Sequence, residues 1–133
     1  MIIQSATTQI DASLSDVRAF LSDPRNLIFL LPQEKVSNFS ADEQQCSFKA
    51  QGGIVINLLF DQKDVQSVRY RSGEESPFPF TLSIELREER DQCQGHVLFD
   101  GEISGFMKML VEKPLQSLFE QMSFQLKAHF DKN

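Results

Sequence analysis

The feature that most constrains the fold is a long stretch, from Glu34 to Ser104, in which apolar residues recur at every second position. In its clearest part, Phe78, Phe80, Leu82, Ile84 and Leu86 alternate with polar residues and one proline. Such alternation is typical of a strand with one face on a core and one in solvent. Turn residues recur along the stretch and predict an antiparallel meander, with strands near 35–41, 45–51, 54–61, 65–72, 78–88 and 95–104.

The segment before this meander predicts a first strand and two short helices. Residues 2–10 are rich in β-branched residues and favour a strand. Ser13 then begins a capping pattern with Asp16, which predicts the start of a helix. Asp23 and Pro24 give a second start signal, because proline at the first helical position has no amide to leave unpaired.

The second short helix lies in the sequence DPRNLIFLLP, which ends at Pro32 and is apolar over five consecutive residues. A short helix can be apolar nearly all round if one side covers the open end of a sheet and the other contacts another helix. We therefore expect Leu27, Leu30 and Leu31 to lie in the core and Phe29 to lie at the rim of a cavity.

The chain ends in its longest predicted helix, residues 106–130, where apolar residues recur close to every 3.6 positions. Pro114 interrupts the pattern. Because an internal proline removes one backbone hydrogen bond, we expect either a kink there or a helix that starts near Lys113.

Length, composition and charge limit the classes of function that we expect. A length of 133 residues predicts a single domain spanning 1–133, and the net charge of −6 without a basic stripe makes nucleic acid an unfavourable partner. No stretch has the length of a transmembrane segment or the pattern of a signal peptide, so we expect a cytoplasmic protein. Cys46 and Cys93 are expected to be reduced and structural, and twelve Phe with no Trp provide large apolar volume.

The order of strand, two short helices, six antiparallel strands and long helix resembles the START-like superfamily, also called SRPBCC or birch-pollen-allergen-like. The resemblance spans the whole chain and rests on the entry IDASLSDVRAFL from Ile10, on DPRNLIFLLP, on FDGEISGFM at 99–107 and on the last helix. It implies an α+β helix-grip fold, in which a curved seven-stranded antiparallel sheet wraps around the C-terminal helix. In that superfamily the cavity between sheet and helix holds lipids, sterols, quinones or polyketides.

We therefore predict that the protein binds or carries a small hydrophobic molecule, such as a lipid, a quinone or a polyketide-like compound. The inward faces of the sheet and the long helix supply the candidate ligand-binding residues, which share apolar character except for one tyrosine: Phe29, Phe48, Ile56, Leu58, Val68, Tyr70, Phe80, Leu82, Phe99, Met107, Val111, Leu118 and Met122. The same side chains could instead interdigitate into a dry core.

Tyr70 is the candidate for orienting a ligand, because a buried hydroxyl needs a partner, either a backbone group or a ligand atom. The alternative places Tyr70 at the rim of the sheet with its hydroxyl in water.

No motif predicts catalytic residues, a metal site or a cofactor. His96, Asp100 and Glu102 share one face of the last strand, but the alternation with Val97 and Phe99 points them to solvent. Two further functions remain open: a cyclase, dehydratase or hydrolase-type enzyme on the same fold, and a protein-interaction module with a filled core. Val55, Leu59 and Leu98 on the outer face could form a partner surface, and the oligomeric state is left open.

Overall fold

The computed structural model describes residues 1–131 and shows an α+β fold in which an antiparallel sheet packs against a long C-terminal helix. Its strands are β1 (Ile2–Gln4), β2 (Thr8–Ile10), β3 (Ser37–Ala41), β4 (Gln45–Lys49), β5 (Val55–Asp64), β6 (Ser67–Ser72), β7 (Phe80–Glu89) and β8 (Gln92–Gly101). The helices are α1 (Leu14–Leu21), a 3-10 helix (Pro24–Leu30) and α2 (Gly105–Phe130). This arrangement confirms the predicted helix-grip fold.

The sheet is a meander in the order β1-β8-β7-β6-β5-β4-β3, and β2 also pairs with β8. The six strands predicted for the meander are all present. The last strand lies earlier than predicted, at 92–101, because the turn before it uses residues 90–91. Arg90 has a φ of 58° there, a left-handed backbone that allows a two-residue hairpin turn.

The prediction of one continuous strand over residues 2–10 is wrong, because the backbone leaves the sheet between β1 and β2. At the break, the hydroxyl of Ser5 accepts a 2.8 Å hydrogen bond from the amide of Val97, while the amide of Ser5 donates to the carbonyl of Val97 at 2.9 Å. Ala6 turns to α2 instead: its amide donates to Glu120 and its carbonyl accepts from Ser123. The sheet therefore has eight strands among the described residues.

Both predicted helix starts are confirmed by their caps. The hydroxyl of Ser13 accepts from the amide of Asp16 at 3.1 Å, and the carboxylate of Asp23 accepts from the amide of Arg25 at 3.0 Å. In the 3-10 helix and at its end, Leu27, Leu30 and Leu31 are buried as predicted. This short helix lies between α2 and strands β3, β4 and β5, so it covers one end of the sheet.

Helix α2 is continuous from Gly105 to Phe130 with Pro114 inside it, so the alternative start near Lys113 is wrong. From Val111 onward one face is buried against the 3-10 helix and strands β1, β2 and β8. The turns before Val111 extend beyond this contact, and their apolar side chains are exposed. Within residues 1–131, none of the three helices combines the length and the hydrophobicity that crossing a lipid bilayer takes.

Candidate functional site

The candidate ligand-binding residues fall into two groups by exposure. Eleven are buried in one continuous apolar core: Phe48, Ile56, Leu58, Val68, Tyr70, Phe80, Leu82, Phe99, Val111, Leu118 and Met122. The other two lie at the surface, since Phe29 is 56% exposed and Met107 is 39% exposed. Whether the buried group contacts a ligand stays a prediction, but its members contact one another.

Phenyl rings occupy the space between the sheet and α2. The rings of Phe80 and Phe99 have centroids 5.2 Å apart, and the next pair, Phe99 and Phe119, is stacked at 5.1 Å. Phe78 adds an edge contact to Phe99 at 6.5 Å. The stack runs from strands β7 and β8 to α2, so the interior is filled at this position.

A glycine makes room for the central ring of the stack. A Cβ atom at Gly101 would lie 2.7 Å from two carbon atoms of the Phe99 ring, which is closer than van der Waals contact allows. The Phe99 ring therefore packs directly over the backbone of Gly101. The core can pack in this way because residue 101 has no side chain.

Tyr70 is fully buried. The alternative prediction, in which its hydroxyl lies in water at the rim of the sheet, is therefore wrong. Its hydroxyl donates a 2.6 Å hydrogen bond to the backbone carbonyl of Leu21. Burial raises the pKa of Tyr70 above its ordinary value, so the phenol stays protonated. Since the single hydroxyl proton is already used, Tyr70 joins two parts of the fold and cannot also donate to a ligand.

A pocket of about 400 Å³ lies at the start of α2, and we call it the mouth pocket. Met107, Leu110 and Val111 line one side. The other side is formed by the turn between β4 and β5, the start of β5 and the loop before β7: Gly52, Gly53, Ile54, Val55, Glu75 and Pro77. The lining is apolar apart from backbone groups and the carboxylate of Glu75.

Two local features shape the mouth pocket. Gly52 and Gly53 have φ values of +86° and +80°, a left-handed backbone that a side chain would strain, and they make the tight turn opposite α2. Glu75 accepts a 3.0 Å hydrogen bond from the hydroxyl of Ser47, which holds one carboxylate oxygen at the pocket edge. Met107 and Val111 were predicted as lining residues. The others were missed because most belong to turns, where alternation carries no signal.

A second pocket, of about 380 Å³, lies between the 3-10 helix and α2, lined by Ile28, Phe29, Leu31, Pro32, Gln33, Glu34, Gln121 and Gln125. Phe29 lies at its edge and also contacts the imidazole of His129, with ring centroids 5.4 Å apart. Four of its eight lining residues are polar or acidic. It is therefore less suited to an apolar ligand than the mouth pocket.

Solved structures resemble this chain along its whole length. The KanY protein aligns with a TM-score of 0.77 at 16% identity, over 98% of this chain and 97% of its own. A START superfamily protein from Mycobacterium smegmatis aligns with a TM-score of 0.67 at 14% identity, covering 97% and 96%. The chain has a START-like fold. A Thermus thermophilus protein aligns with a TM-score of 0.71 at 15% identity, over 98% of the present chain and 97% of its own. No protein-family profile and no curated protein match the sequence.

The titratable groups of this START-like chain lie mostly on its outer surface. Asp100 and Glu102 are exposed and His96 is half-buried on the outer face of β8, as the alternation predicted. Between residues 1 and 131, no three His, Cys, Asp or Glu side chains are grouped closely enough to hold a metal ion. Burial raises the pKa of the Cys46 thiol to about 12, so this thiol is protonated at neutral pH.

Proposed function

We propose that this protein binds or carries a small hydrophobic molecule of the lipid, quinone or polyketide-like class, and that the mouth pocket is where the molecule is held. The supporting observation is the lining of this pocket. Met107 and Leu110 are 39% and 55% exposed there, although apolar side chains of their size are usually buried in water-soluble domains. A ligand that covers them removes apolar surface from water, which favours binding.

The pocket also indicates the size and the polarity of the ligand. Its volume of about 400 Å³ falls in the range of pockets that enclose small organic molecules. Glu75 is the one titratable side chain that lines it, and a carboxylate accepts hydrogen bonds but repels anions. Within the proposed classes, the preferred ligand therefore has an apolar body and a hydroxyl or amine at one end, which favours lipid alcohols and hydroxylated polyketides over quinones.

Three probes with one alkyl chain test this preference: decylamine, decanol and decanoate. We expect decylamine and decanol to bind, and decanoate to bind about fivefold more weakly than decanol, since Glu75 is exposed and solvent screens its charge. The variant Glu75→Gln should bring the affinity for decanoate closer to that for decanol, because it removes the charge that repels the carboxylate. Calorimetry or competition with a fluorescent dye measures each dissociation constant.

The four methionines locate the bound probe. Their methyl groups give separate signals in NMR spectra of protein with ¹³C-labelled methionine methyls. Met107 lines the mouth pocket, Met109 is 79% exposed and is not part of the lining, and Met122 is buried in the core. Decanol in the mouth pocket shifts the signal of Met107 and leaves the other two in place. A shift confined to Met122 would place the ligand in the core and overturn the proposed site.

Two substitutions within one turn of α2 provide a matched pair. Met107→Lys places a charge in the pocket and is expected to weaken decanol binding by at least about tenfold, whereas Met109→Lys changes only exposed surface and should leave it within about twofold. Equal effects of the two variants, or no binding of any probe by the unmodified protein, would contradict the proposal. Native mass spectrometry of protein purified from its own host then identifies the physiological ligand.

A further inference from the structure

The outward face of α2 carries a row of side chains whose spacing is symmetric about Ser117. We call this row the α2 outer stripe, and its members are Phe106, Leu110, Lys113, Ser117, Gln121, Phe124 and Ala128. They lie 11, 7 and 4 residues before Ser117 and the same distances after it. Spacings of three and four residues keep the row on one side of the helix, opposite the buried face.

The apolar members of the stripe are strongly exposed. Phe106 is 74% exposed, Leu110 is 55% exposed and Phe124 is 64% exposed. These residues do not form a patch on one side of the centre but stand at both ends of the stripe. The polar members Lys113, Ser117 and Gln121 occupy the middle.

We propose that the α2 outer stripe is a dimer interface that binds the same stripe of a second copy of this chain. A two-fold axis through Ser117 makes the two α2 helices antiparallel. Leu110 then lies opposite Phe124 of the second copy, and Phe106 lies opposite its Ala128. Each contact occurs twice, as a two-fold interface requires.

The charge of Lys113 fits this occupant, although Lys35 of each copy also lies near the axis, where its ammonium donates to the hydroxyl of Ser117 at 3.4 Å. Lys113 forms no ion pair with residues 1–131. In the antiparallel register it lies opposite Gln121 of the second copy and beside Glu120 of that copy. Glu120 uses one carboxylate oxygen, Oε1, to accept from the amide of Ala6, so the other oxygen is free to accept from Lys113. The antiparallel arrangement also places the positive end of one helix dipole beside the negative end of the other.

The length of the stripe sets the strength expected of the dimer. From Phe106 to Ala128 the helix rises about 33 Å, and one helix on each side covers little area compared with stable dimers. We therefore expect a monomer–dimer equilibrium with a dissociation constant of roughly micromolar or weaker. Sedimentation equilibrium at several protein concentrations measures it.

The first test compares two exposed apolar residues. Phe124→Glu introduces a charge in the stripe and is expected to weaken dimerisation by at least about tenfold. Val65→Glu makes the same kind of change at a side chain that is 68% exposed in the turn between β5 and β6, away from α2, and should leave the equilibrium unchanged. Equal dissociation constants for the two variants would overturn the proposal, as would an unmodified protein that stays monomeric at millimolar concentration.

The second test uses the position of the two-fold axis. Ser117→Cys brings two thiols together across the axis, so mild oxidation should give a covalent dimer, whereas Val65→Cys should not. The native thiols of Cys46 and Cys93 are buried and do not interfere. Equal cross-linking of the two variants would contradict the register. Binding of a monomeric protein to phosphatidylcholine vesicles, lost in Phe124→Glu, would assign the stripe to a membrane and overturn the dimer.

The dimer and the proposed ligand site fail separately. Leu110 belongs to both surfaces, so the tests use residues that belong to only one: Phe106, Ser117 and Phe124 do not line the mouth pocket, and Met107 is not part of the stripe. At protein concentrations low enough to keep the chain monomeric, Phe124→Glu should therefore leave decanol binding unchanged. Met107→Lys should leave the dimer unchanged.

Discussion

The phenol oxygen of Tyr70 lies 2.6 Å from the backbone carbonyl oxygen of Leu21, and this contact ties the middle of β6 to the last residue of α1. A carbonyl at the end of a helix has no amide partner within the helix, so a side chain satisfies it here. Both groups are buried, which makes the bond difficult to replace with water.

Removal of this hydroxyl is expected to destabilise the protein. Tyr70→Phe keeps the ring and its contact with Phe60, but it leaves the carbonyl of Leu21 buried without a donor. We expect the free energy of unfolding to fall by about 1–3 kcal/mol. Urea denaturation followed by circular dichroism measures the change, and an unaltered midpoint would show that water replaces the hydroxyl.

The aromatic stack predicts a large effect at Phe119. Phe119→Ala leaves a cavity beside Phe99 in the space between sheet and helix, and we expect a loss of about 3–5 kcal/mol. Phe124→Ala is the matched control, since Phe124 lies on the same helix and is 64% exposed. At protein concentrations low enough to keep the chain monomeric, the control should change stability by less than about 0.5 kcal/mol. Similar losses in both variants would contradict the filled interior.

The cap of α1 can be tested with two serines of one segment. Ser13→Ala removes the hydroxyl that accepts from Asp16 and should destabilise the protein by about 1 kcal/mol. Ser15→Ala changes an exposed position within the helix and is expected to be neutral or slightly stabilising, because alanine favours helices. Thermal melts of both variants, followed by circular dichroism at 222 nm, rank them, and the reverse order would refute the cap.

Stability is expected to fall at alkaline pH because of Cys46. Burial raises the pKa of this thiol from its ordinary value of 9.0 to about 12, so the folded state holds the proton more tightly than the unfolded chain. The contribution to stability is complete below pH 9 and is lost as the pH rises from 9 to 12. Its slope is about 1.4 kcal/mol per pH unit.

Urea midpoints at pH 8, 9, 10 and 11 measure this dependence. Cys46→Ala lacks the thiol and should show a shallower decline above pH 9. A smaller decline should remain in the variant, because burial also raises the pKa values of the Cys93 thiol and of Tyr70 above their ordinary values. Parallel curves for the variant and the unmodified protein would exclude the thiol as the cause.

Local signals predict much of the fold, and long-range contacts account for what they miss. The caps at Ser13 and Asp23 act over two or three residues, so the sequence shows them directly. The break at Ser5 depends on Val97, which is 92 residues away, and on the approach of α2 to Ala6. The partner of the Tyr70 hydroxyl is likewise distant in sequence. Nothing in the neighbourhood of either residue distinguishes these arrangements from an ordinary strand.

In the candidate site, too, local patterns predict some of the residues and long-range packing determines the others. Helical periodicity correctly identifies the side of α2 that faces the sheet beyond Val111, because the period reports direction around the axis. It does not report where the helix extends past its neighbours. The pattern therefore predicts an interior position for Met107, although the buried part of the helix begins only at Val111. The glycine turn and the loop that complete the mouth pocket lack any periodicity.

The interruptions at both borders of the sheet have a consequence for solubility. At one border lie β1 and β2, each three residues long and separated by the break at Ser5; at the other, β3 pairs with a register shift near Asn38, whose φ is 58°. Strands that are short or bulged are poor templates for hydrogen bonding to a further strand. The sheet therefore resists growth into fibrils, and self-association is directed to a helical surface, where a two-fold pair closes on itself.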